Sequence, residues 1–330
     1  MEISRHSGFT LVELMVAITL GLLVTAAAIQ LYITGITSYN VQKAMSSIQD
    51  SAGFGVNYIL DDVRKANLSS PTPSINDETA YAGIILNSTN VGENIKLNCP
   101  NCFDNEVIKQ FGNANVINYK NDQLIIRYQA PQAGYDCAGA AISTGQYVIE
   151  RYFVGASSSD SRQSLRCQSV QYTQAQLDAA TVTNPLNLTL GISQIIIPKV
   201  DYFYIKLGYI NGSLANPSQL GYIEISEYLA LPKVKKNVDG IVQNVRPYID
   251  AVQIGLLVQS NESTGNDLIV KTRNSQPFNV LDKSVTLDVV NQDSHLRQVV
   301  SQTILLRNAI GWVTEGCDSS ITRGCTGVSQ

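Results

Sequence analysis

Residues 8–29 read GFTLVELMVAITLGLLVTAAAI, an apolar stretch whose only charge is Glu13. A helix rises 1.5 Å per residue, so about 20 apolar residues cross a hydrocarbon core. Phe9 to Ile29 is therefore predicted as a membrane-crossing helix. The preceding residues, MEISRHSG, are polar and carry Arg5 and the free amine, so they are expected to stay cytoplasmic. Three readings compete: a secretory signal cut after Ala26-Ala27-Ala28, an anchor that is never cut, and a segment cut just before Phe9. Glu13 separates them. A carboxylate inside a membrane is costly and marks function by default, and neither of the first two readings uses it.

Beyond Ile29 the pattern becomes one-sided. Met45, Ile48, Ala52, Val56, Ile59 and Val63 recur at three- and four-residue spacing and predict one apolar helical face. Lys43, Asp50, Asp61 and Arg64 fall between them, and the pair Asp61-Asp62 reads as solvated. Ser69-Ser70-Pro71-Thr72-Pro73 cannot continue a helix. A helix from Phe9 to Leu68 would be roughly 90 Å long. Gly21, Gly35, Gly53 and Gly55 inside it each cost about 1 kcal/mol relative to alanine, and they are expected to mark bends or close approaches.

Charged residues make up 15% of the 330 residues and the formal charge is -4. No global basic field recruits nucleic acid. From Ala80 onward the chain reads as strands: Ala82–Leu86, Gln123–Gln129, Gln146–Val154, Asp201–Leu207, Tyr222–Tyr228, Ala251–Val258 and Val285–Val290, each bounded by Gly, Asn, Pro or Ser. The segment from Asn184 to Pro198 is a candidate seam between sub-domains.

The stretch Gly8-Phe9-Thr10-Leu11-Val12-Glu13-Leu14 resembles the cleavage and methylation motif of type IV prepilins and type II secretion pseudopilins. The resemblance implies that a membrane-embedded prepilin peptidase cuts after Gly8 and methylates the new amino terminus at Phe9. Glu13 then becomes the fifth mature residue, placed to neutralise the Phe9 ammonium of a neighbouring subunit. Such a pair contributes little net stability, but leaving one partner alone is costly, so it would set subunit register.

Shorter landmarks extend the resemblance: Asp122 to Gln129, Asp136-Cys137, Val148 to Tyr152, Leu165 to Cys167 and Leu306 to Asn308. They look like PilW-type minor pilins, which are similar to J-type pseudopilins of type II secretion. By that analogy Arg297–Asn308 is read as a strand. Two departures stand out: Ile249 to Gln253 lacks an arginine expected there, and the tail from Gly311 to Gln330 looks like an addition. The implied fold is α+β and pilin-like, a long amino-terminal helix, its first half transmembrane, packed on a β-sheet-rich domain. The implied domains are a leader over 1–8, the helix over 9–68 and a globular domain over 69–330. The implied partners are the prepilin peptidase, other minor pilins and the major pilin. The protein would sit in the inner membrane, single-pass with its amino terminus cytoplasmic, and then in an extracellular pilus serving twitching motility, adhesion or DNA uptake. The rival readings are a J-like pseudopilin and a tip adhesin that uses the helix as a handle.

Six cysteines, an even number, suit disulfides in an oxidising compartment. Cys137 and Cys167 flank a strand pair and would close a loop of about 30 residues, and Cys317 and Cys325 would staple the tail. Cys99-Pro-Asn-Cys102 has the spacing of a redox pair or half a zinc site. It lies among loop formers rather than at a helix start, and no second ligand pair matches it, so a structural role is expected. Fifteen connectivities stay open. Without the leader, His295 is the only histidine, which leaves little for a catalytic triad. No phosphate loop, HExxH or EF-hand pattern occurs, so no enzyme and no cofactor are expected. Lys233, Lys235 and Lys236 form a small basic cluster where DNA or another subunit could touch, though three loop lysines are usually only exposed.

Overall fold

The first helix, α1 (Leu11–Lys65), dominates the computed structural model, which describes residues 9–156, 163–210, 220–238, 241–265 and 267–309. It is long and apolar enough to cross a membrane, and its most apolar 18-residue stretch has no residue buried inside the chain. Burial starts at Ala44 and recurs at Ile48, Ala52, Gly55, Val56, Ile59, Leu60, Asp62 and Val63. Two expectations are corrected here. Met45 is 39% exposed and lies at the edge of the stripe, and Asp62 is 5% exposed and lies within it. Asp62 follows Ile59 by three residues and Gly55 by seven, which keeps it on the inward face.

Among the described residues, two four-stranded antiparallel sheets carry the domain. The first holds β1 (Gln123–Gln129), β2 (Tyr147–Ala156), β3 (Gln163–Tyr172) and β4 (Gln194–Ile197), in the order β4-β3-β2-β1. The second holds β5 (Val200–Ile210), β6 (Leu220–Glu224), β7 (Ile249–Ser263) and β8 (His295–Leu305), in the order β6-β5-β7-β8. The chain crosses between sheets at Pro198-Lys199, the end of the segment read as a seam. Asn121 and Asp122 stitch the two together: Asp122 N donates to the Phe203 carbonyl (2.9 Å), and Ile205 N donates to Asp122 Oδ2 (2.9 Å). One apolar core runs through α1 and both sheets, and a smaller one, around Tyr202, Tyr204, Phe278 and Val280, lies beside β5 and β7.

Helix α1 lies on β7, β8 and β4. At Gly55 the backbone of the helix comes close to β4, where an added Cβ would lie 2.2 Å from Ile197 Cγ1, whereas Gly21, Gly35 and Gly53 face open space. Of the four helical glycines, only Gly55 is therefore a packing requirement. The helix end is tied to the end of β8. Asn308 Nδ2 donates to the carbonyls of Arg64 (3.0 Å) and Ala66 (3.1 Å), groups that a helix terminus otherwise leaves unpaired. Asn67, in the left-handed region (φ 67°), returns a bond from Nδ2 to the Asn308 carbonyl (3.0 Å).

Three predicted strands need correction. Ala82–Leu86 runs beside β1, with Ile85 N bonded to the Ile125 carbonyl and Arg127 N to the Gly83 carbonyl, but forms only an isolated bridge. The run Tyr222–Tyr228 stops being a strand at Glu224 and continues as helix α2 (Ile225–Ala230), with Glu224 N held by Glu227 Oε2. In Val285–Val290 only Val285 is in a strand, and Val289–Asn291 form a 3₁₀ turn. The strand β3 and the ladders around Ile95–Asn98 and Leu186–Thr189 were not among the predicted strands. Arg297–Asn308, read as a strand by analogy, lies in β8 as far as Leu305.

Candidate functional site

Polar chemistry gathers at two regions of α1: its exposed start and its buried joint with the first sheet. At the start, Thr10 is the N-cap. Glu13 N donates to Thr10 Oγ1 (3.2 Å), while Thr10 N (2.9 Å) and Thr10 Oγ1 (3.0 Å) both donate to Glu13 Oε2. This reciprocal capping pattern satisfies orphan donors and sets a negative charge at the positive end of the helix dipole. Phe9 is 91% exposed, and Leu11, Val12 and Leu14 beside it are also exposed. Among the described residues, Glu13 is thus held only by its bonds to Thr10. Gly8 lies outside the described residues.

The joint is built from strand alternation. On β2, Val148, Glu150, Tyr152 and Val154 share the face that meets α1, and Tyr128 of β1 and Cys167 of β3 lie on the same face. Tyr152 Oη donates to Asp62 Oδ2 (2.7 Å) and lies 3.2 Å from Glu150 Oε2. Glu150 Oε1 accepts from Tyr128 Oη (3.0 Å) and from Cys137 N (2.9 Å). Lys65 Nζ closes the chain on Asp62 Oδ1 (2.7 Å). Burial, followed by the neighbouring Asp62 carboxylate, pushes Glu150 from its ordinary 4.5 up to about 8. Proton accounting agrees with that direction. One hydroxyl hydrogen on Tyr152 cannot serve two carboxylates, but a protonated Glu150 donates to Tyr152, which then donates to Asp62. Burial and the same carboxylates raise Tyr152 and Tyr128 far above the usual phenol range. The loop after β1 adds Asp136, whose oxygens accept from Ala138 N, Ala140 N, Ser169 Oγ and Gln171 Nε2, and whose carbonyl accepts from Tyr58 Oη.

The other residues singled out in the sequence are dispersed. Cys137 is bonded to Cys167 with Cα atoms 6.0 Å apart, beside Glu150, and Cys99 is bonded to Cys102 at 5.4 Å. Cys317 and Cys325 lie outside the described residues. Asp61 pairs with Arg64 at the surface (2.9 Å). His295 Nδ1 lies 2.9 Å from Asp293 Oδ2, and Arg297 also binds Asp293 (2.7 Å), an ion-pair group that holds the start of β8. Lys233 pairs with Glu78. No cluster of three or more potential metal ligands occurs among the described residues. The joint was not singled out in advance. Its signal was present in two places: Asp62 continues the apolar stripe of α1, and Glu150 alternates with Val148, Tyr152 and Val154 on one face of β2.

Two family models match the chain. That for the prokaryotic N-terminal methylation motif matches residues 3–29, and that for type IV pilus-assembly protein W matches residues 151–308. The first covers the capped start of α1 and the second most of both sheets up to Asn308. No curated protein and no solved structure matches the chain.

Proposed function

We propose that this chain, a PilW-like type IV minor pilin by its methylation motif and its assembly region, primes pilus assembly and occupies the filament tip. Prepilin peptidase removes residues 1–8 after Gly8 and methylates Phe9. The helix over 9–68 then holds the subunit in the inner membrane, single-pass with its amino terminus cytoplasmic, and the domain over 69–330 faces outward until extraction into the filament. There Glu13 leaves its bond to Thr10 and meets the Phe9 ammonium of a neighbour. Only the correct axial stagger satisfies both charges, so the pair acts as a register device. The partners are the peptidase, other minor pilins and the major pilin, and the role is structural rather than catalytic. Twitching motility, adhesion and DNA uptake are the processes such a pilus serves.

The observation that carries this reading is the bare first half of α1. Its most apolar stretch finds no cover in its own chain, and it begins at the Phe9-Thr10 cap with Glu13 one turn in. That surface needs lipid first and neighbouring helices later. The test is the amino-terminal sequence and mass of the protein taken from its host's membranes and sheared filaments, together with pilus counts in a deletion strain. A chain beginning at N-methylated Phe9, with pili lost on deletion, is the expected result. A start at Ile29 or Met1 removes the whole reading. Lost secretion of exoproteins with pili intact assigns the chain to a type II system, and lost adhesion with pili intact makes it an adhesin.

A further inference from the structure

Of the three buried arginines among the described residues, Arg297 pairs with Asp201 (2.8 Å) and Arg151 is bonded to the side chains of Gln123 and Gln168. Half-buried Arg246 pairs with Asp77. Arg127, on β1, is 1% exposed and has no acidic partner among the described residues. Its Nε donates to Tyr172 Oη (2.7 Å) and its Nη1 to the Tyr81 carbonyl (2.8 Å). Three tyrosine rings surround it, with centroids 4.5 Å (Tyr147), 5.3 Å (Tyr81) and 5.9 Å (Tyr172) from the guanidinium carbon. Nη2 makes no hydrogen bond to the described residues. A buried charge without a counter-charge is expensive, and here it borders a cavity of about 280 Å³, walled also by Ser69, Pro71, Tyr81, Tyr147, Gln174 and Leu177.

We propose that this cavity is a binding site for a monocarboxylate carried on a small apolar or aromatic group, with Arg127 Nη2 as its anion anchor. The charge of the ligand follows from the donors. A single guanidinium edge faces the cavity, no lysine lines it, and the other polar lining groups are neutral, which suits one negative charge rather than the two of phosphate. The apolar carrier follows from the walls, where Pro71, Leu177 and two tyrosine rings offer flat apolar surface. Filling the site supplies the charge that the fold leaves out. Ser69 and Pro71 follow the end of α1, so the site opens at the pole opposite the membrane-crossing half. It does not depend on the pilus role.

The test titrates the full-length protein in detergent micelles with benzoate, its neutral analogue benzamide, and inorganic phosphate, by calorimetry. Saturable benzoate binding, at least roughly tenfold tighter than benzamide or phosphate, is expected. Arg127→Gln removes the anchor but also two buried hydrogen bonds and threatens folding. Leu177→Trp, at the half-buried rim, fills the cavity without touching Arg127, and should abolish benzoate binding with an unchanged unfolding curve. Absence of saturable binding, equal binding of benzamide or phosphate, or undiminished binding to Leu177→Trp would overturn the proposal. A tripeptide with a free carboxyl-terminal phenylalanine separates two sources. If it binds tighter than benzoate, the natural ligand is a protein chain end, and if weaker, a free acid.

Discussion

Replacing Glu150 by glutamine tests the proton held at the joint between α1 and the first sheet. In the folded chain this carboxyl is raised from 4.5 to about 8, chiefly by burial and then by Asp62. Between those pH values the folded state keeps a proton that the unfolded state releases. The stability it contributes is therefore full below 4.5, falls as pH rises, and is lost above about 8. At about 1.4 kcal/mol per pH unit, the total is on the order of 5 kcal/mol. Glutamine copies the protonated form. Its oxygen accepts from Tyr128 Oη and Cys137 N, and its amide donates to Tyr152, which still donates to Asp62. Urea unfolding of the full chain in micelles, followed by far-ultraviolet circular dichroism, is measured for both proteins at pH 5, 7 and 9. Asp122 and Asp250, each raised to about 6 by burial, titrate in both proteins and cancel in the difference. The expected result is near-equality at pH 5 and a glutamine variant more stable by several kcal/mol at pH 9. Parallel pH profiles, or a less stable variant at pH 9, would refute the protonated-glutamate account.

Three further outcomes are expected. Gly55→Val drives its side chain into Ile197 and should cost about 1–3 kcal/mol, while Gly53→Ala, facing open space, should be neutral or stabilising by up to about 1 kcal/mol; urea midpoints compare them. Asn308→Ala removes the donors to the Arg64 and Ala66 carbonyls and should cost about 1–2 kcal/mol, with hydrogen exchange accelerated around residues 62–67. Cys137→Ser with Cys167→Ser opens a loop closed across 30 residues and should cost about 3–4 kcal/mol. The Cys99/Cys102 pair, closed across 3 residues, should cost less when replaced the same way, and thermal unfolding ranks the two.

The helix and its head were legible because both rest on local rules. Apolar run length, the lone Glu13 and the stop at Pro71 need no tertiary context. Strands with dense apolar runs bounded by turn residues, such as Gln123–Gln129 and Ala251–Val258, were legible for the same reason. Tyr222–Tyr228 was not, because Ile225 to Ala230 fits a strand or a helix equally and the Glu224/Glu227 cap decides. Strand β3, Gln163–Tyr172, scatters Leu165, Cys167, Val170 and Tyr172 among polar residues and lacks a dense apolar run, so its existence depends on pairing with β2. Asp62 was read by its charge, although its position on the helical wheel placed it inward. What hides such a residue is its partners, Tyr152 and Lys65, one of which is 90 residues away.

The tie between Asn308 and the end of α1 also orders events in time. The contacts that cover the lower half of the helix's inward face come late in the chain: Ser47 meets Asn261 across 214 residues, and Arg64 meets Asn308 across 244. Such separations raise contact order and slow folding. A chain made from its amino terminus completes the helix first, and the stripe stays uncovered until β8 has been made. A chain stopped short of Leu305 would lose both the end of β8 that pairs with Ala251 and the Asn308 tie to the helix terminus. Completion of the chain is then what closes the inward face of the helix.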